Sequence, residues 1–192
     1  IQDETRHDFI WYHRTISVDG EKLENNRYIL HFEGSDFITK VWVNGAYAGS
    51  HRGGYARCSF DVTNLVHDGE NELTVKVEDS YDPQQPRGKQ RWIKENFGCW
   101  YIQTTGIWKT VWSEYVPKIG LASVKMTPDL QNAALKLEYE VDAAEEVLGE
   151  DMIVTASVSV KGVPVAKQSV MANQKHVGTT MNVSYYGSIG LE

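Results

Sequence analysis

The sequence predicts an all-β protein made of two sandwiches, and three observations support this prediction. Short stretches of alternating apolar and polar residues recur along the chain with turn residues between them, and no stretch has helical periodicity. The pair Asn44-Gly45 lies between two such stretches and is typical of a β-hairpin, because both turn positions need a positive φ. All six tryptophans and all five phenylalanines precede Pro117. This asymmetry predicts two domains, residues 1–117 and residues 118–192.

The first domain is predicted to contain seven strands. Its alternating stretches are residues 9–17, 27–33, 37–44, 47–49, 56–61, 72–78 and 107–115. Residues 34–36 and 68–71 are polar breaks, and residues 63–65 resemble a single helical turn. In the second stretch Tyr28, Leu30 and Phe32 are expected to point to one side, and Ile29, His31 and Glu33 to the other. Many short strands without helices indicate a β-sandwich, a jelly roll or an immunoglobulin-like fold.

The second domain is predicted to be an immunoglobulin-like sandwich. Its predicted strands are residues 120–126, 135–141, 152–160, 163–171 and 177–183. Leu135, Leu137, Tyr139 and Val141 are expected to point inward, as are the even positions of 152–160, and Gly162 marks a hairpin. Small residues in strict alternation are typical of this sandwich. No residue of this domain suggests chemistry.

The composition argues against two classes of partner. The formal net charge is −7 and the isoelectric point is near 5.4, whereas nucleic acid and anionic membranes select basic surfaces. No apolar run reaches the roughly 18 residues that a membrane-spanning helix needs. We therefore expect no nucleic acid and no membrane as partner. A neutral or cationic ligand is more compatible with the net negative charge than an anionic one.

No cofactor or metal is predicted. Cys58 and Cys99 belong to no metal-binding pattern and are expected to be free thiols, and the six histidines lack the spacing of metal ligands. The chain has no nucleophile elbow, phosphate-binding loop or dinucleotide fingerprint. Asp79 and Asp82 form the one pair of close carboxylates that we considered for catalysis, and their place before Pro83 favours a turn instead.

The stretch 80–112 is the candidate functional site, because long loops inside compact domains usually carry function. It combines indole and phenol rings with guanidinium, ammonium and amide donors. A sugar has apolar C–H faces edged by hydroxyls, so it needs both stacking and directional polar contacts. The candidate carbohydrate-binding residues are Arg87, Lys89, Gln90, Arg91, Trp92, Trp100 and Tyr101. Two alternatives stay open: the charged residues form a solvated loop, or the aromatic residues pack against another domain.

Several motifs in a fixed order make the first domain resemble the amino-terminal sugar-binding jelly roll of glycoside hydrolase family 2, the family of β-galactosidases, β-glucuronidases and β-mannosidases. The resemblance covers about residues 9–116, and the remainder is similar to the immunoglobulin-like sandwich that follows in that family. The motifs that carry it are residues 11–14, 30–36, 41–45, 49–51, 53–55, 60–65, 69–75 and 104–108.

The resemblance implies that chemistry belongs to a TIM barrel that follows both sandwiches in the same parent chain. In that barrel two glutamates act as acid/base and nucleophile in a retaining mechanism. The jelly roll is then an accessory that shapes the carbohydrate pocket and docks on the barrel. In several members an aspartate six positions before the glycine of Gly106-Ile107 contacts the sugar. Trp100 occupies that position here, which implies stacking in place of a hydroxyl contact.

The chain starts at Ile1 without a leader and ends in Leu191-Glu192, which is common before a purification tag. We therefore expect a non-catalytic fragment of a longer retaining glycosidase of the β-galactosidase or β-glucuronidase type. The alternative is an autonomous carbohydrate-binding module or lectin. The sequence leaves open the sugar, the compartment (cytoplasmic or periplasmic) and the oligomeric state, a homo-oligomer included.

Overall fold

The computed structural model describes residues 7–143, 148–149 and 151–183. The chain divides into two compact units, and the boundary along the sequence lies between Val116 and Pro117. The residues described contain fourteen strands, one four-residue helix and one 3-10 turn. The prediction of an all-β fold is therefore confirmed. The expected tag at residues 191–192 lies outside the described residues.

The first unit is built from two main antiparallel sheets and a short two-stranded one. The sheet orders are β1-β7-β4-β5, β6-β2-β9 and β3-β8. The strands are β1 (Phe9–Val18), β2 (Asn26–Phe32), β3 (Ser35–Asp36), β4 (Ile38–Val43), β5 (Ala46–Arg52), β6 (Cys58–Asp61), β7 (Gly69–Glu78), β8 (Gly106–Ile107) and β9 (Val111–Pro117). A 3-10 turn at Thr63–Leu65 follows β6, as predicted.

The core of the first unit lies between its two larger sheets. Alternate residues of β2, β4 and β7 point inward and are almost fully buried, among them Leu30, Phe32, Val41 and Val77. Burying each such side chain contributes roughly 1.5–3 kcal/mol to folding. Tyr28, Leu30 and Phe32, which were predicted to share one side, all belong to this core. The side chains on the opposite faces of these strands do not belong to this core.

The turn at Asn44-Gly45 is the predicted hairpin between β4 and β5. Asn44 and Gly45 have φ values of 50° and 78°, and Val43 pairs with Ala46. The side chain of Asn44 is also used, since its Nδ2 donates to the carbonyl of Leu65 at 2.9 Å and to Asn71 Oδ1 at 2.8 Å. The hairpin is therefore tied to the β6–β7 connection.

Three local predictions were wrong and one element was missed, each because a distant partner or a cap decides the structure. Residues 35–36, predicted as a break, form β3 by pairing with β8. Residues 69–71, predicted as a turn, extend β7 because β1 is long enough to pair with them. The predicted strand 107–115 is interrupted after Ile107, where the backbone donates to Gly34. The short helix α1 (Gly20–Leu23) was not predicted; Asp19 caps it by accepting from Glu21 N and Lys22 N.

The second unit contains the five strands that the alternation predicted. They are β10 (Gly120–Asp129), β11 (Ala134–Asp142), β12 (Ile153–Val160), β13 (Val163–Met171) and β14 (His176–Asn182). They form the sheets β10-β11-β14 and β12-β13. The predicted inward residues Leu137, Tyr139 and Val141 are buried in the core of this unit. Of the other predicted inward residues, Leu135, Met152, Val154, Ala156 and Val158 pack against this core, and Val160 does not belong to it. The alternation therefore identified the inner face correctly.

Asn71 offers a test of the first unit's stability. Its side chain is 1% exposed and makes four hydrogen bonds that shape the chain before β7, two of them with the backbone of His67. Because Asn71→Ala leaves these groups buried and unpaired, we expect a loss of about 3 kcal/mol in the free energy of unfolding. Urea unfolding followed by tryptophan fluorescence measures this unit alone, since every tryptophan precedes Pro117.

The matched control is Asn64→Ala. Asn64 is exposed on the 3-10 turn, so its truncation should change the free energy of unfolding by less than about 0.5 kcal/mol. Equal effects of the two substitutions would contradict the role assigned to Asn71.

Candidate functional site

The candidate site is built on the long loop 79–105, which connects β7 to β8. The loop folds back on itself through two short backbone hydrogen bonds. Arg91 N donates to the carbonyl of Tyr101 at 2.7 Å, and Tyr101 N donates to the carbonyl of Lys89 at 2.7 Å. These bonds bring its two halves side by side and place the candidate residues 87–92 next to Trp100 and Tyr101.

Asp79 anchors both ends of the loop. Its carboxylate is buried and accepts hydrogen bonds from Ser80 N (2.7 Å) and Gln85 Nε2 at the start of the loop. It also accepts from Gln103 Nε2 and from Thr105 Oγ1 (3.1 Å) at the end. A carboxylate is the side chain that can accept this many donors at once. We conclude that Asp79 is structural, in agreement with the sequence-based preference against catalysis.

Asp36, at the end of β3, is a second buried carboxylate beneath the loop. Its Oδ2 accepts from Gln90 Nε2 at 2.9 Å, and Gln90 Oε1 in turn accepts from Thr104 N at 2.7 Å. Within the described residues Oδ1 of Asp36 has no hydrogen-bond partner, and Gly54 packs against it so closely that a Cβ there would lie 2.5 Å away. Burial raises the pKa of Asp36, with a further contribution from Asp79, while the Gln90 hydrogen bond and Arg87 oppose the rise.

The two candidate arginines hold the loop together. Arg87 Nη2 donates to the carbonyls of Ser80 (2.9 Å) and Asp82 (2.5 Å), and Arg91 Nη1 donates to Asn96 Oδ1 at 2.8 Å. Both arginines are more than nine-tenths buried. Gln90 is also engaged at both ends of its amide. These three candidates therefore use their polar groups in hydrogen bonds that fix the conformation of the loop.

The remaining candidates offer rings and an ammonium group to solvent. Trp92 lies edge-on to Trp100 with ring centroids 4.5 Å apart, and Phe97 is 5.0 Å from Trp92. Trp92 is 36% exposed and Tyr101 68% exposed, and Lys89 is exposed beside them. The indoles thus cluster with each other in the loop and do not belong to the core between the sheets.

A recess of about 370 Å³ opens beside this cluster. The candidates Arg87, Lys89, Gln90, Trp100 and Tyr101 line it, whereas Arg91 and Trp92 do not. The other lining residues were not predicted from the sequence: they are Tyr55, Asn96, Ile102 and Thr104. Tyr55 follows Gly53-Gly54, a glycine pair that permits close approach of the backbone to other groups. This pair was the feature of the sequence that could have indicated a site near Tyr55. The recess is large enough for part of a sugar chain and presents both ring faces and polar groups.

Residues 2–112 match the family described as glycosyl hydrolases family 2, sugar binding domain. The chain belongs to glycoside hydrolase family 2. A β-galactosidase of Thermoanaerobacter pseudethanolicus is 28% identical over 156 residues, which are 80% of this chain and 20% of that enzyme. The chain therefore spans about a fifth of this curated relative.

Solved structures show the same fold. A glycosyl hydrolase family 2 member from Bacteroides cellulosilyticus superimposes with a TM-score of 0.69 at 19% identity, over 92% of this chain and 24% of that chain. A β-glucuronidase from Ruminococcus gnavus gives a TM-score of 0.66 at 18% identity, over 94% and 32%. The chain thus corresponds to the amino-terminal sugar-binding domain of β-galactosidase- and β-glucuronidase-like proteins.

Two further expectations concern absences. In the part of the chain that the structure describes, no helix is long and apolar enough to cross a membrane. The same residues bring no three histidine, cysteine or carboxylate side chains together in a metal-binding arrangement. Cys58 and Cys99 are free thiols, and burial raises the pKa of Cys58 to about 11.

The two buried carboxylates should respond differently to amide substitution. Asp79→Asn places an NH2 group among donors that need an acceptor, so we expect a loss of about 3 kcal/mol in the free energy of unfolding at pH 7. Asp36→Asn keeps an acceptor for Gln90 and removes a buried charge, so its cost should be less than about 1 kcal/mol. Urea unfolding of both variants measures the difference, and equal losses would contradict this assignment.

The stability conferred by Asp36 should also depend on pH. Its pKa is raised above the ordinary 3.8 in the folded protein, so protonation favours the folded state, and this contribution is lost as pH rises through the raised pKa. The wild type should therefore become more stable relative to Asp36→Asn as pH falls from about 7 towards 4. Unfolding curves at several pH values test this; a difference that stays constant with pH would show that Asp36 titrates normally.

Proposed function

We propose that this chain is the amino-terminal, non-catalytic part of a longer family 2 glycosidase of the β-galactosidase or β-glucuronidase type. In this proposal loop 79–105 forms one wall of the carbohydrate pocket and docks on a TIM barrel of the same parent chain. The observation that supports it best is the loop itself: its backbone is anchored on two buried carboxylates while its rings stay exposed around a recess. The match also covers only 20% of the Thermoanaerobacter pseudethanolicus β-galactosidase, which is consistent with a part of a longer enzyme.

The loop residues divide into two roles in this proposal. Lys89 and Tyr101, which are exposed, and Trp100, which is partly buried, line the recess and contact the sugar directly. Trp92 supports Trp100 through edge-on packing. Arg87, Gln90 and Arg91 are buried or already hydrogen-bonded, and they position those contacts. Trp100 stacks on an apolar sugar face, which suits its place where several family members have an aspartate.

The hydrolytic step is assigned to the barrel. A retaining glycosidase needs two carboxyl groups that reach the glycosidic bond, one as nucleophile and one as acid/base. Asp36 and Asp79 are 3% and 6% exposed and bind the loop's own amides. Neither is available to a substrate, which supports a non-catalytic role for this chain.

The second unit is proposed to be an immunoglobulin-like sandwich, with domain limits at residues 1–117 and 118–192. Two antiparallel sheets of three and two strands with a common apolar core support this assignment. We propose that it connects the jelly roll to the barrel and takes no part in sugar binding.

The first test is turnover and affinity of the chain by itself. We expect no hydrolysis of nitrophenyl β-galactoside or nitrophenyl β-glucuronide, because both catalytic carboxyl groups are assigned elsewhere. Binding of galactose and glucuronate should be weak, with Kd of about 1 mM or more, because the open recess desolvates only part of a sugar. Measured turnover would refute the proposal, and micromolar affinity would favour an autonomous lectin.

Trp100→Ala tests the stacking role. In the longer enzyme we expect kcat/KM to fall about tenfold, which corresponds to a lost stacking contact of 1–2 kcal/mol. Leu130→Ala, at a residue of the second unit that is 91% exposed, is the control and should leave kcat/KM unchanged. A Trp100→Ala enzyme with wild-type kinetics would exclude this residue from the pocket.

A further inference from the structure

A second exposed aromatic surface lies outside the recess, on the outer face of the sheet β1-β7-β4-β5. It consists of Phe9 and Trp11 on β1, Trp42 on β4 and Tyr47 on β5, and we call it the aromatic platform. Phe9, Trp11 and Tyr47 are each 54–55% exposed. None of the four residues lines the recess beside the loop. The inner faces of the same strands already fill the core, so these rings are not required to close it.

The sheet register explains how the rings meet. Trp11 pairs with Lys76, and Trp42 pairs with Thr74 on the other edge of β7. The two indoles lean towards each other across β7, with ring centroids 5.6 Å apart. Tyr47 continues the row at 5.5 Å from Trp42. Three rings from three strands thus form one continuous row across the sheet.

The planes of these rings are not parallel. Trp11 and Trp42 are inclined by 33°, and Trp42 and Tyr47 by 55°. A flat, rigid surface could contact only one ring fully. A flexible chain of linked rings can contact all three.

The charges of this face are paired within it. Lys76 Nζ lies 5.0 Å and 5.5 Å from the Phe9 and Trp11 ring centroids and 2.5 Å from Glu78 Oε1. Lys40 also contacts Glu78, at 3.2 Å. Glu72 lies on the same face, with its Oε1 3.3 Å from His13 Nε2, so two carboxylates balance the two lysines. The platform is therefore close to neutral and surrounded by hydrogen-bonding groups, which favours a neutral polyhydroxyl ligand over an anionic or cationic one.

The platform is large enough to be a functional patch. Phe9, Trp11 and Tyr47 are roughly half exposed and Trp42 is partly buried, so together they offer on the order of 400 Å² of apolar surface. The largest apolar patch on a typical monomer measures about 300–600 Å² and is often functional. The area therefore marks the platform as a candidate binding surface, and its charge balance indicates the class of ligand.

We propose that the aromatic platform binds one oligosaccharide chain of β-linked pyranoses, separately from the recess. Equatorial linkages keep such a chain extended and expose the C–H faces of successive rings, with a repeat comparable to the spacing of the indoles and Tyr47. The lysines, Glu78 and Glu72 at the edges of the row supply hydrogen bonds to hydroxyl groups. The platform would hold a polymeric substrate near the enzyme, and this role does not depend on the proposed function of the loop.

Calorimetry of the 192-residue chain with cellohexaose, maltohexaose and cellobiose tests the proposal. We expect cellohexaose to bind at least about tenfold more tightly than the α-linked maltohexaose or the shorter cellobiose, because only an extended chain reaches all three rings. Trp11→Ala and Tyr47→Ala should each weaken cellohexaose binding about five- to tenfold, and Trp11→Phe should restore part of it. Trp108→Ala, at a 47% exposed tryptophan outside the platform, should leave the affinity unchanged.

Thermal unfolding of each variant separates folding from binding, since exposed rings should contribute little to the unfolding temperature. Three results would overturn the proposal: no measurable binding of cellohexaose, binding that Trp11→Ala does not affect, or equal affinity for the three sugars. Sedimentation provides a fourth. A wild-type dimer that becomes a monomer in Trp11→Ala would identify the platform as an interface between copies.

Discussion

The hydrogen bonds accepted by Asp79 are the interaction on which the site depends. A long loop loses much conformational entropy when it is fixed, and here the loss is offset at its two ends by one buried carboxylate. Because donors from the start of the loop and from its end converge on Asp79, the ends cannot separate without leaving a buried charge unpaired. Asp36 then fixes the middle of the loop through Gln90. The aromatic rings therefore lie on a loop whose backbone is fixed to the sandwich by Asp36 and Asp79, and this anchoring is the frame of the site.

This frame explains why polar residues that resemble ligand contacts are not all free to act as such. A guanidinium group in a loop has two ways to satisfy its donors: solvent and ligand, or the loop's own carbonyls. Arg87 donates to the loop, because the carbonyls of Ser80 and Asp82 lie within hydrogen-bond distance of its guanidinium group. The local sequence does not indicate which of the two arrangements occurs. The arrangement follows from three-dimensional closure of the loop, which also buries Arg91 and gathers Tyr55 and Thr104 into the recess.

Most predictions that rest on period-two alternation agree with the structure, the stretch 107–115 excepted, since the same periodicity that buries Leu30, Phe32 and Val77 is visible in the sequence. The hairpin at Asn44-Gly45 was predictable for a comparable reason: its backbone requirement is local. The β3–β8 pair was not, because residues 35–36 acquire a partner seventy positions away. Gly106 shows the constraint: a Cβ there would lie 2.3 Å from Tyr12 Oη, whose oxygen accepts from Ile107 N. The glycine was visible in the sequence, but its neighbour was not.

The aromatic platform was hidden from sequence reasoning in a different way. Trp11 and Trp42 occupy alternating strand positions, but in β1 both faces carry apolar residues, with Phe9 and Trp11 on one and Ile10 and Tyr12 on the other. Alternation therefore did not indicate which face of this strand is the core. An apolar ring on the outer face contributes little to folding and exposes apolar surface that favours association. The ring contacts of 5.5–5.6 Å between Trp11, Trp42 and Tyr47 join three strands of one sheet, and cross-strand aromatic pairs stabilise a sheet by about 0.2–1 kcal/mol each. These contacts leave Trp11 and Tyr47 about half exposed, and a ligand that spans the row would remove that apolar surface from water.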